Sequence, residues 1–315
     1  MVRFVKYADI DKSKWDECID MAFNGNIYGY SWYLDIVCPY WHALVDDDYK
    51  AVFPLPSGRK YLINYVYQPF FSQQLGIFSR NHLTAEVVKD FIDFIPPWYK
   101  FIDINLNTLN KANDLNCTVI QLRNHELDLI FPYSVLAKNY SENTKRNLKR
   151  AGQANISVSY LTSPEDVVRL FRRNRGESLT HLGDNEYKTL LQLIYTCIHK
   201  GIAVISGAYS EQHDLCAGAV FLKSHQKAVF LFSAVSEEGR TNGSMTMIIN
   251  QFIKQHASSQ LTLDFEGSND ANLARFYKSF GAKALTYPRI TITRLPEVVN
   301  MVLKLMRKFR GRPVK

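Results

Sequence analysis

The sequence predicts an α/β fold in which mixed sheets carry helices, and three observations lead to this prediction. Residues 261–282 show a strand pattern, a turn and a helix pattern in direct succession. Residues 227–235, KAVFLFSAV, form an almost continuous apolar run, as expected of a strand that is buried on both faces. Helices, consecutive strands and strand–helix units follow in the same order in both halves of the chain.

The segment 261–282 begins with LTLDF, which alternates apolar and polar residues and is rich in strand-forming types. Gly267 and Ser268 end the strand, and Asn269 or Asp270 can cap the helix that follows. Apolar residues recur at helical spacing at Leu273, Phe276, Tyr277 and Phe280. Gly281 then stands where a glycine commonly ends a helix.

The segment just before it repeats this order. After the apolar strand, residues 236–244 form a polar turn with Gly239 and Gly243, and residues 245–255 have helical spacing. A glycine-bearing loop before a helix can direct backbone N–H groups and the helix N-terminus towards a phosphate.

The remaining elements follow from periodicity and from breaker residues. Predicted helices lie at 12–23, 30–38, 84–94, 164–174 and 186–199, and predicted strands at 3–7, 43–46, 50–55, 101–105, 118–122, 125–130, 203–209, 215–224, 228–235 and 286–293. A chain of 315 residues is long for one core. We therefore predict two domains, 1–140 and 141–315, the second with a basic C-terminal helix.

Composition excludes several classes of protein. Hydrophobic residues make up 46% of the chain, which is typical of a globular protein. No apolar run is long enough to span a membrane, and the N-terminus lacks the apolar core of a signal peptide. The five cysteines and eight histidines are scattered without the spacing of a disulfide frame or metal site. We expect a cytoplasmic protein without a metal.

Positive charge is clustered on a chain whose net charge is +8. Residues 138–175 contain nine Lys and Arg against three Asp and Glu, and residues 298–315 contain six Lys and Arg and no acid. The rest of the chain is mildly acidic, so this pattern indicates an anionic partner near the clusters, or two solvated helix faces.

The pattern Asn272-x-x-x-x-Tyr277-x-x-x-Gly281 resembles the last strand–helix unit of the GNAT acyltransferases. The resemblance implies that Asn272 contacts coenzyme A and that Tyr277 lies near its sulfur. Arg240 and Gly243 match the family's pyrophosphate loop, whereas Met245 replaces its second small residue. A plain β-turn-α unit with an apolar stripe is the alternative interpretation.

Residues 140–152, YSENTKRNLKRAG, resemble a basic segment of the Fem-type aminoacyltransferases, which carry two GNAT domains in tandem. Residues 69–78, PFFSQQLGIF, with DFEGS and FYKSFGA, look like bacterial proteins of that wider group, which includes enzymes acting on peptidoglycan precursors. The long helical arm of some Fem enzymes has no counterpart, because no paired heptads occur.

Acyl transfer to an amine requires proton acceptance, oxyanion stabilisation and proton donation. Glu266 is the predicted base, with Asp264 two residues earlier on the same strand face, and Tyr277 the predicted acid. One carboxylate could instead cap the next helix or pair with Arg275, and Tyr277 could be a half-buried aromatic. The backbone at Phe232, Ser233 and Ala234 is predicted to receive a pantetheine arm.

Further binding residues are predicted from position and charge. Gln73 and Gln74, in an aromatic-rich loop, could line an acceptor pocket between the domains, or belong to ordinary loop structure. Lys145, Arg146, Lys149 and Arg150 form one basic helix face that could meet a phosphate of a nucleotide-linked precursor, a tRNA or coenzyme A. The tail predicts a basic amphipathic helix with Val298, Met301 and Leu305 on one side, for packing or peripheral membrane contact.

These observations predict an N-acyltransferase that moves an acyl or aminoacyl group to an amine by direct attack. The donor stays open: Met245 disfavours acyl-coenzyme A, and the missing arm disfavours a long contact with aminoacyl-tRNA. The acceptor would be a small-molecule or peptide-like amine, such as a cell-wall precursor. A non-catalytic binding module on a decayed transferase fold is the alternative.

Overall fold

The structure is a computed structural model, and it describes residues 1–113, 115–176, 182–267 and 269–296. The chain forms two compact units. Unit 1 contains residues 1–121 together with the chain from residue 287 onward, and unit 2 contains residues 122–286. Compactness thus groups residues 122–140 with the second unit, and the predicted division into domains 1–140 and 141–315 stays a prediction.

The strands are, in chain order, β1 (Arg3–Val5), β2 (His42–Val45), β3 (Ala51–Leu55), β4 (Ser57–Lys60), β5 (Ile63–Tyr67), β6 (Phe78–Ser79), β7 (Tyr99–Asn105), β8 (Thr118–Asp128), β9 (Ser157–Ser159), β10 (Ala203–Tyr209), β11 (Leu215–Ser224), β12 (Lys227–Val235), β13 (Thr262–Gly267) and β14 (Lys283–Thr293). The helices are α1 (Lys12–Met21), α2 (Ser31–Val37), α3 (Ala85–Asp93), α4 (Tyr133–Lys138), α5 (Glu142–Gln153), α6 (Pro164–Asn174), α7 (Asp184–His199), α8 (Glu237–Asn242), α9 (Ser244–His256) and α10 (Ala271–Lys278).

Unit 1 holds two runs of paired strands. One is an antiparallel sheet in the order β1-β2-β3-β6. The other has the order β4-β5-β7-β14, where β5 and β7 are parallel and β14 contributes Arg289–Thr293. Trp15 on α1 and Trp41 before β2 are fully buried with ring centroids 4.7 Å apart, and they form part of this unit's core.

The loop that follows β5 covers the end of β7. Asn105 at the end of β7 receives a hydrogen bond from the Leu75 N–H through its carbonyl oxygen, at 3.1 Å. Its own N–H donates to Gln68 Oε1 at 3.0 Å, and its side-chain amide donates to the Gln73 carbonyl at 2.8 Å. Residues 68–75 therefore take up the backbone and side-chain hydrogen bonds at this end of the strand.

Unit 2 is built on the strand order β8-β13-β12-β11-β10-β9. Strands β10, β11 and β12 pair antiparallel, as their hairpin connections require, and β13 lies parallel to β12 after the crossover through α8 and α9. Helix α9 packs on β11, where the rings of Phe252 and Phe221 stack 4.1 Å apart. The predicted α/β class with a large mixed sheet is confirmed.

Several predicted elements differ from the structure. The strands predicted at 118–122 and 125–130 are one strand, β8, because the polar residues between them alternate in strand register. The turn predicted at 236–244 contains α8 instead of an open loop. Ser236 caps this helix by accepting the Gly239 N–H at 2.9 Å, and Glu237 and Glu238 lie in its first turn, near the positive end of its dipole.

Two further predictions concern membrane spans and the C-terminal tail. Among the described residues, no helix is long and apolar enough to cross a membrane. The predicted basic helix with Val298, Met301 and Leu305 lies outside the described residues.

Candidate functional site

The candidate site of unit 2 begins where β12 and β13 part. The two strands pair only through Lys227, Ala228 and Val229 of β12, opposite Thr262, Leu263 and Asp264 of β13. Beyond Val229 the ladder stops, so the edge of β12 that faces β13 has no strand partner among the described residues from there on. The two strands are therefore neighbours in one sheet that part beyond Val229 and Asp264.

A cavity of about 850 Å³ lies at this divergence, and all of its lining residues belong to unit 2. It is lined by Asn147, Phe171, Asn174, Arg175, Phe230, Ser233, Ala234, Val235, Gly239, Arg240, Gly243, Met245, Thr246, Asp270, Asn272, Leu273, Phe276 and Tyr277. The lining combines an aromatic wall with a few amide, hydroxyl and guanidinium groups. Such a mixture is typical of a site for an organic ligand with polar groups.

Of the three predicted catalytic residues, Tyr277 on α10 lines this cavity, whereas Glu266 and Asp264 do not. Tyr277 is buried, with 7% of its surface exposed. Its ring stacks on Phe265 at 4.8 Å, and no hydrogen bond joins its hydroxyl to another described residue. Burial raises the pKa of the Tyr277 phenol, and Glu266 raises it further, against the lowering effect of Arg175. The hydroxyl therefore stays protonated at neutral pH and can donate a proton.

Glu266 lies at the end of β13 in a left-handed backbone conformation, with a φ of 59°. Its side chain is half-buried and does not line the cavity, but it is near enough to Tyr277 to raise the pKa of that phenol. The cap of α10 is supplied by Asp270, whose side chain accepts the N–H groups of Asn272 and Leu273, so neither Glu266 nor Asp264 is needed for it.

Asp264 is buried below the cavity, with 4% of its surface exposed, and does not line it. Its Oδ1 accepts hydrogen bonds from Asn124 Nδ2 at 2.9 Å and from the Glu266 N–H at 2.8 Å. Burial raises the pKa of the Asp264 carboxyl to about 6, Lys227 opposes this shift, and Glu126 adds to it. The residue is placed to hold the end of β13.

The residues predicted on β12 divide in two. Ser233 and Ala234 line the cavity, whereas the Phe232 ring turns away and packs against Phe171 at 4.8 Å between ring centroids. Phe230, which was not predicted, lines the cavity in its place.

Gly243 joins α8 to α9 with a φ of 82°, and it also lines the cavity. A Cβ atom at this position would lie 2.4 Å from the carbonyl oxygen of Asn147 on α5. Close packing of α5 thus requires a glycine here, independently of any phosphate. The Ser244 N–H at the start of α9 is already bonded to Asn242 Oδ1 at 3.0 Å.

The other residues predicted near the donor lie at the rim of the same cavity. Arg240 and Asn272 are exposed lining residues, and Met245 forms part of the wall. The structure thus brings together Ser233, Ala234, Arg240, Gly243, Asn272 and Tyr277, although their binding and catalytic roles stay predictions.

Gln73 and Gln74 belong to unit 1, where both are buried. The Gln74 side chain donates to Gln73 Oε1 at 3.0 Å and accepts the Thr108 N–H at 3.1 Å. These contacts tie the loop to the end of β7. The role predicted for the two glutamines in an acceptor pocket between the domains stays a prediction.

The basic residues of α5 are exposed, and none of them lines the cavity. Lys145 pairs with Glu142 at 2.8 Å, whereas Arg146, Lys149 and Arg150 form no ion pair with another described residue. Asn147 is the only residue of this helix, among those described, that lines the cavity. Binding of a phosphate by this face stays a prediction.

Sequence reasoning missed the wall that α6 supplies. Phe171, Asn174 and Arg175, at and beyond the C-terminal end of α6, line the cavity, and Arg175 acts electrostatically on Tyr277. The signal in the sequence was the basic character of the end of this helix, which does not reveal the strand on which it packs. Among the described residues, no group of three or more His, Cys, Asp or Glu is placed to hold a metal ion.

No family model matches the chain, and no curated protein matches it. Solved structures do. A crystal structure of FemX is 12% identical, covers 93% of this chain and 98% of its own, and superposes with a TM-score of 0.66. The chain has the fold of the Fem-like, GNAT-related acyltransferases. The same fold is present in L-PGS from Bacillus licheniformis, which is 11% identical over 93% of this chain and 95% of its own, with a TM-score of 0.56.

A third similar structure is the C-terminal domain of a putative lysylphosphatidylglycerol synthetase from Agrobacterium fabrum. It is 10% identical, covers 96% of this chain and 98% of its own, and has a TM-score of 0.56. At these identities the likeness concerns the fold, so the chemistry has to be argued from the cavity of unit 2.

Proposed function

We propose that the protein is an N-acyltransferase, which moves an acyl or aminoacyl group from an ester or thioester donor onto an amine. The observation that carries this proposal is the cavity at the divergence of β12 and β13, with the Tyr277 hydroxyl in its wall. The transferase fold supports it. A sealed site would have favoured the binding module, whereas this cavity has room for a reacting group.

The reaction would be a direct transfer. The amine nitrogen attacks the carbonyl carbon of the donor, a C–N bond forms, and the C–O or C–S bond breaks. In this scheme Glu266 accepts the proton that the amine loses, and Tyr277 supplies one to the departing oxygen or sulfur. The phenol of Tyr277, whose pKa is raised by burial, holds its proton before the reaction, as a general acid must.

An ester-linked aminoacyl donor fits the surroundings of Gly243 better than acyl-coenzyme A. The Ser244 N–H, which a pyrophosphate would need, is already bonded to Asn242 Oδ1, and the Asn147 carbonyl oxygen packs close to Gly243. The donor class proposed is therefore aminoacyl-tRNA, and the acceptor is an amine that a peptide-like cell-wall precursor could supply.

The first test is a transfer assay with labelled aminoacyl-tRNA or acyl-coenzyme A and a panel of amine acceptors. Tyr277→Phe and Glu266→Gln should each lower turnover roughly 10²–10⁴-fold with little change in donor binding. Tyr140→Phe is the matched control, because the buried Tyr140 hydroxyl has no hydrogen-bond partner among the described residues and lies outside the cavity.

Turnover with acyl-coenzyme A alone would reassign the donor. Donor binding without any transfer would favour the binding module. Full turnover in both Tyr277→Phe and Glu266→Gln would remove both residues from the chemistry.

A further inference from the structure

The end of β13 contains a bulge that sets the direction of Glu266. Asp264 is paired with Glu126 of β8, and Gly267 is paired with Asn124. Two residues of β13 therefore lie opposite one residue of β8 between these pairs. Such bulges redirect a side chain and are common next to active sites.

The bulge places a non-glycine residue in a costly backbone conformation. Glu266 has a φ of 59°, a region that few residues other than glycine and asparagine occupy without strain. A conformation of this kind persists only when its surroundings hold it. At this bulge the Glu266 N–H donates a hydrogen bond to Oδ1 of the buried Asp264 side chain, at 2.8 Å.

Asp264 is in turn held by a partly buried polar cluster, which consists of Asp264, Asn124, Glu126 and Lys227. Asn124 Nδ2 donates to Asp264 Oδ1 at 2.9 Å, and Lys227 Nζ lies 2.5 Å from Glu126 Oε1 and 3.9 Å from Asp264 Oδ2. Asn124 is fully buried, and the side chains of Asp264 and Glu126 are 6% and 14% exposed. The cluster joins β8, β12 and β13 at the point where the cavity opens.

We propose that Asp264 is a positioning residue, which holds the β13 bulge and thereby presents Glu266 beside Tyr277. It does not exchange protons with a substrate, since it does not line the cavity and its Oδ1 already accepts two hydrogen bonds. This inference deepens the proposed transfer and rests on it for the role of Glu266. It replaces the prediction of Asp264 as a second base.

The charges of the cluster support a positioning role. Two buried carboxylates share one lysine, and the charged groups that act on Asp264 are Lys227 from β12 and Glu126 from β8. A neutral side chain of the same shape relieves this surplus of negative charge and keeps the oxygen that accepts the Glu266 N–H. Asparagine meets both conditions, whereas a catalytic base could not be replaced by it.

The test compares Asp264→Asn with Asp264→Ala in the full chain. Hydrogen exchange of the Glu266 amide is measured by NMR, and turnover is measured in the transfer assay. We expect Asp264→Asn to keep both the amide protection and most of the turnover. Asp264→Ala should lose protection roughly tenfold, as expected for one hydrogen bond, and lose turnover to the extent of Glu266→Gln. Asp264→Leu, whose side chain has similar branching but no hydrogen-bond acceptor, replaces the alanine variant if that variant does not fold.

The two readouts separate failure of this inference from failure of the proposed function. Unchanged amide protection in Asp264→Ala or Asp264→Leu would overturn the positioning role. So would equal losses of protection in Asp264→Asn and Asp264→Ala. Loss of turnover in Asp264→Asn with intact protection would make Asp264 a base and overturn it as well. If the wild-type protein transferred no group at all, the proposed function would fail while the exchange measurement still decided the role of Asp264.

Discussion

Glu266 donates its backbone N–H to the carboxylate of Asp264 at 2.8 Å, from a backbone with a φ of 59°. The residue predicted to accept the proton of the amine is therefore held by a buried neighbour in a conformation that its own side chain disfavours. We therefore expect a substitution that relieves this strain to raise the stability of the protein and to lower its activity.

Glu266→Gly should stabilise the protein while lowering turnover. Glycine occupies the left-handed region without the steric cost of a side chain, which amounts to about 1–2 kcal/mol. Chemical denaturation measures the gain, and the transfer assay measures the loss. Ser258→Gly is the control, because Ser258 has a φ of 63° but lies outside the cavity. It should gain stability without losing turnover. A destabilised Glu266→Gly protein would mean that contacts of the carboxylate outweigh the strain.

Asp264→Asn should raise stability at pH 8 more than at pH 4. The pKa of Asp264 is about 6 in the folded protein against a reference of 3.8, so the folded state binds the proton more tightly. Protonated Asp264 therefore stabilises the folded state. This stabilisation is fully present below the unfolded pKa of 3.8 and is lost as the pH rises through about 6. At 1.36 kcal/mol per pKa unit, the advantage of Asn at pH 8 should reach about 1–3 kcal/mol.

Glu142→Gln is the control for this pH dependence. Glu142 is exposed, and its hydrogen bond with Lys145 lowers the pKa of its carboxyl, so no gain at pH 8 is expected. If Asp264→Asn and the wild type had the same free energy of unfolding at every pH, the charged Asp264 carboxylate would not destabilise the folded protein.

Gly243→Ala should destabilise unit 2 by about 2 kcal/mol or more. The added Cβ would lie 2.4 Å from the Asn147 carbonyl oxygen, and the φ of 82° disfavours any side chain. Gly152→Ala, on the same helix as Asn147, is the control, since its Cβ would meet no atom within 4 Å. It should gain about 0.5–1 kcal/mol from the better helix propensity. Thermal unfolding of both variants checks this, and equal stabilities would remove the packing role of Gly243.

The basic face of α5 should contribute to binding in proportion to its unpaired charges. Arg146→Ala with Lys149→Ala should raise KM more than it lowers kcat, because these side chains do not line the cavity. Lys145→Ala should have a smaller effect, since Glu142 already pairs with Lys145. Binding of aminoacyl-tRNA at 50 and about 200 mM salt measures the contacts, as each lost phosphate contact reduces the salt dependence. Unchanged affinity and salt dependence in the double variant would show that the face is only solvated.

The sequence predicts most elements of unit 2 because its strands and helices are long and their periodicities differ. The helix at 164–174 and the strands at 203–209 and 215–224 have the predicted bounds. The missed helix α8 is short and carries polar and glycine residues, which are equally common in turns. Its formation depends on the cap at Ser236, which composition alone does not reveal.

The candidate site was predictable only in part, for a geometric reason. Ser233 and Tyr277 stand on elements whose order already places them at one divergence of the sheet, so the sequence could group them. Arg175 directly follows helix α6, and the periodicity of this helix does not reveal which strands α6 packs against. The burial of Asp264 depends equally on β8, which is distant in sequence.

We expect the loop at 68–75 to leave a single donor site in each chain. Each unit contains a parallel strand pair, β5 with β7 and β12 with β13. In unit 1 the polar groups of Asn105 at the end of β7 are already satisfied by Gln68, Gln73 and Leu75. In unit 2, by contrast, the edge of β12 that faces β13 has no strand partner beyond Val229 among the described residues. A titration with donor should accordingly saturate at one equivalent per chain, with a single class of site.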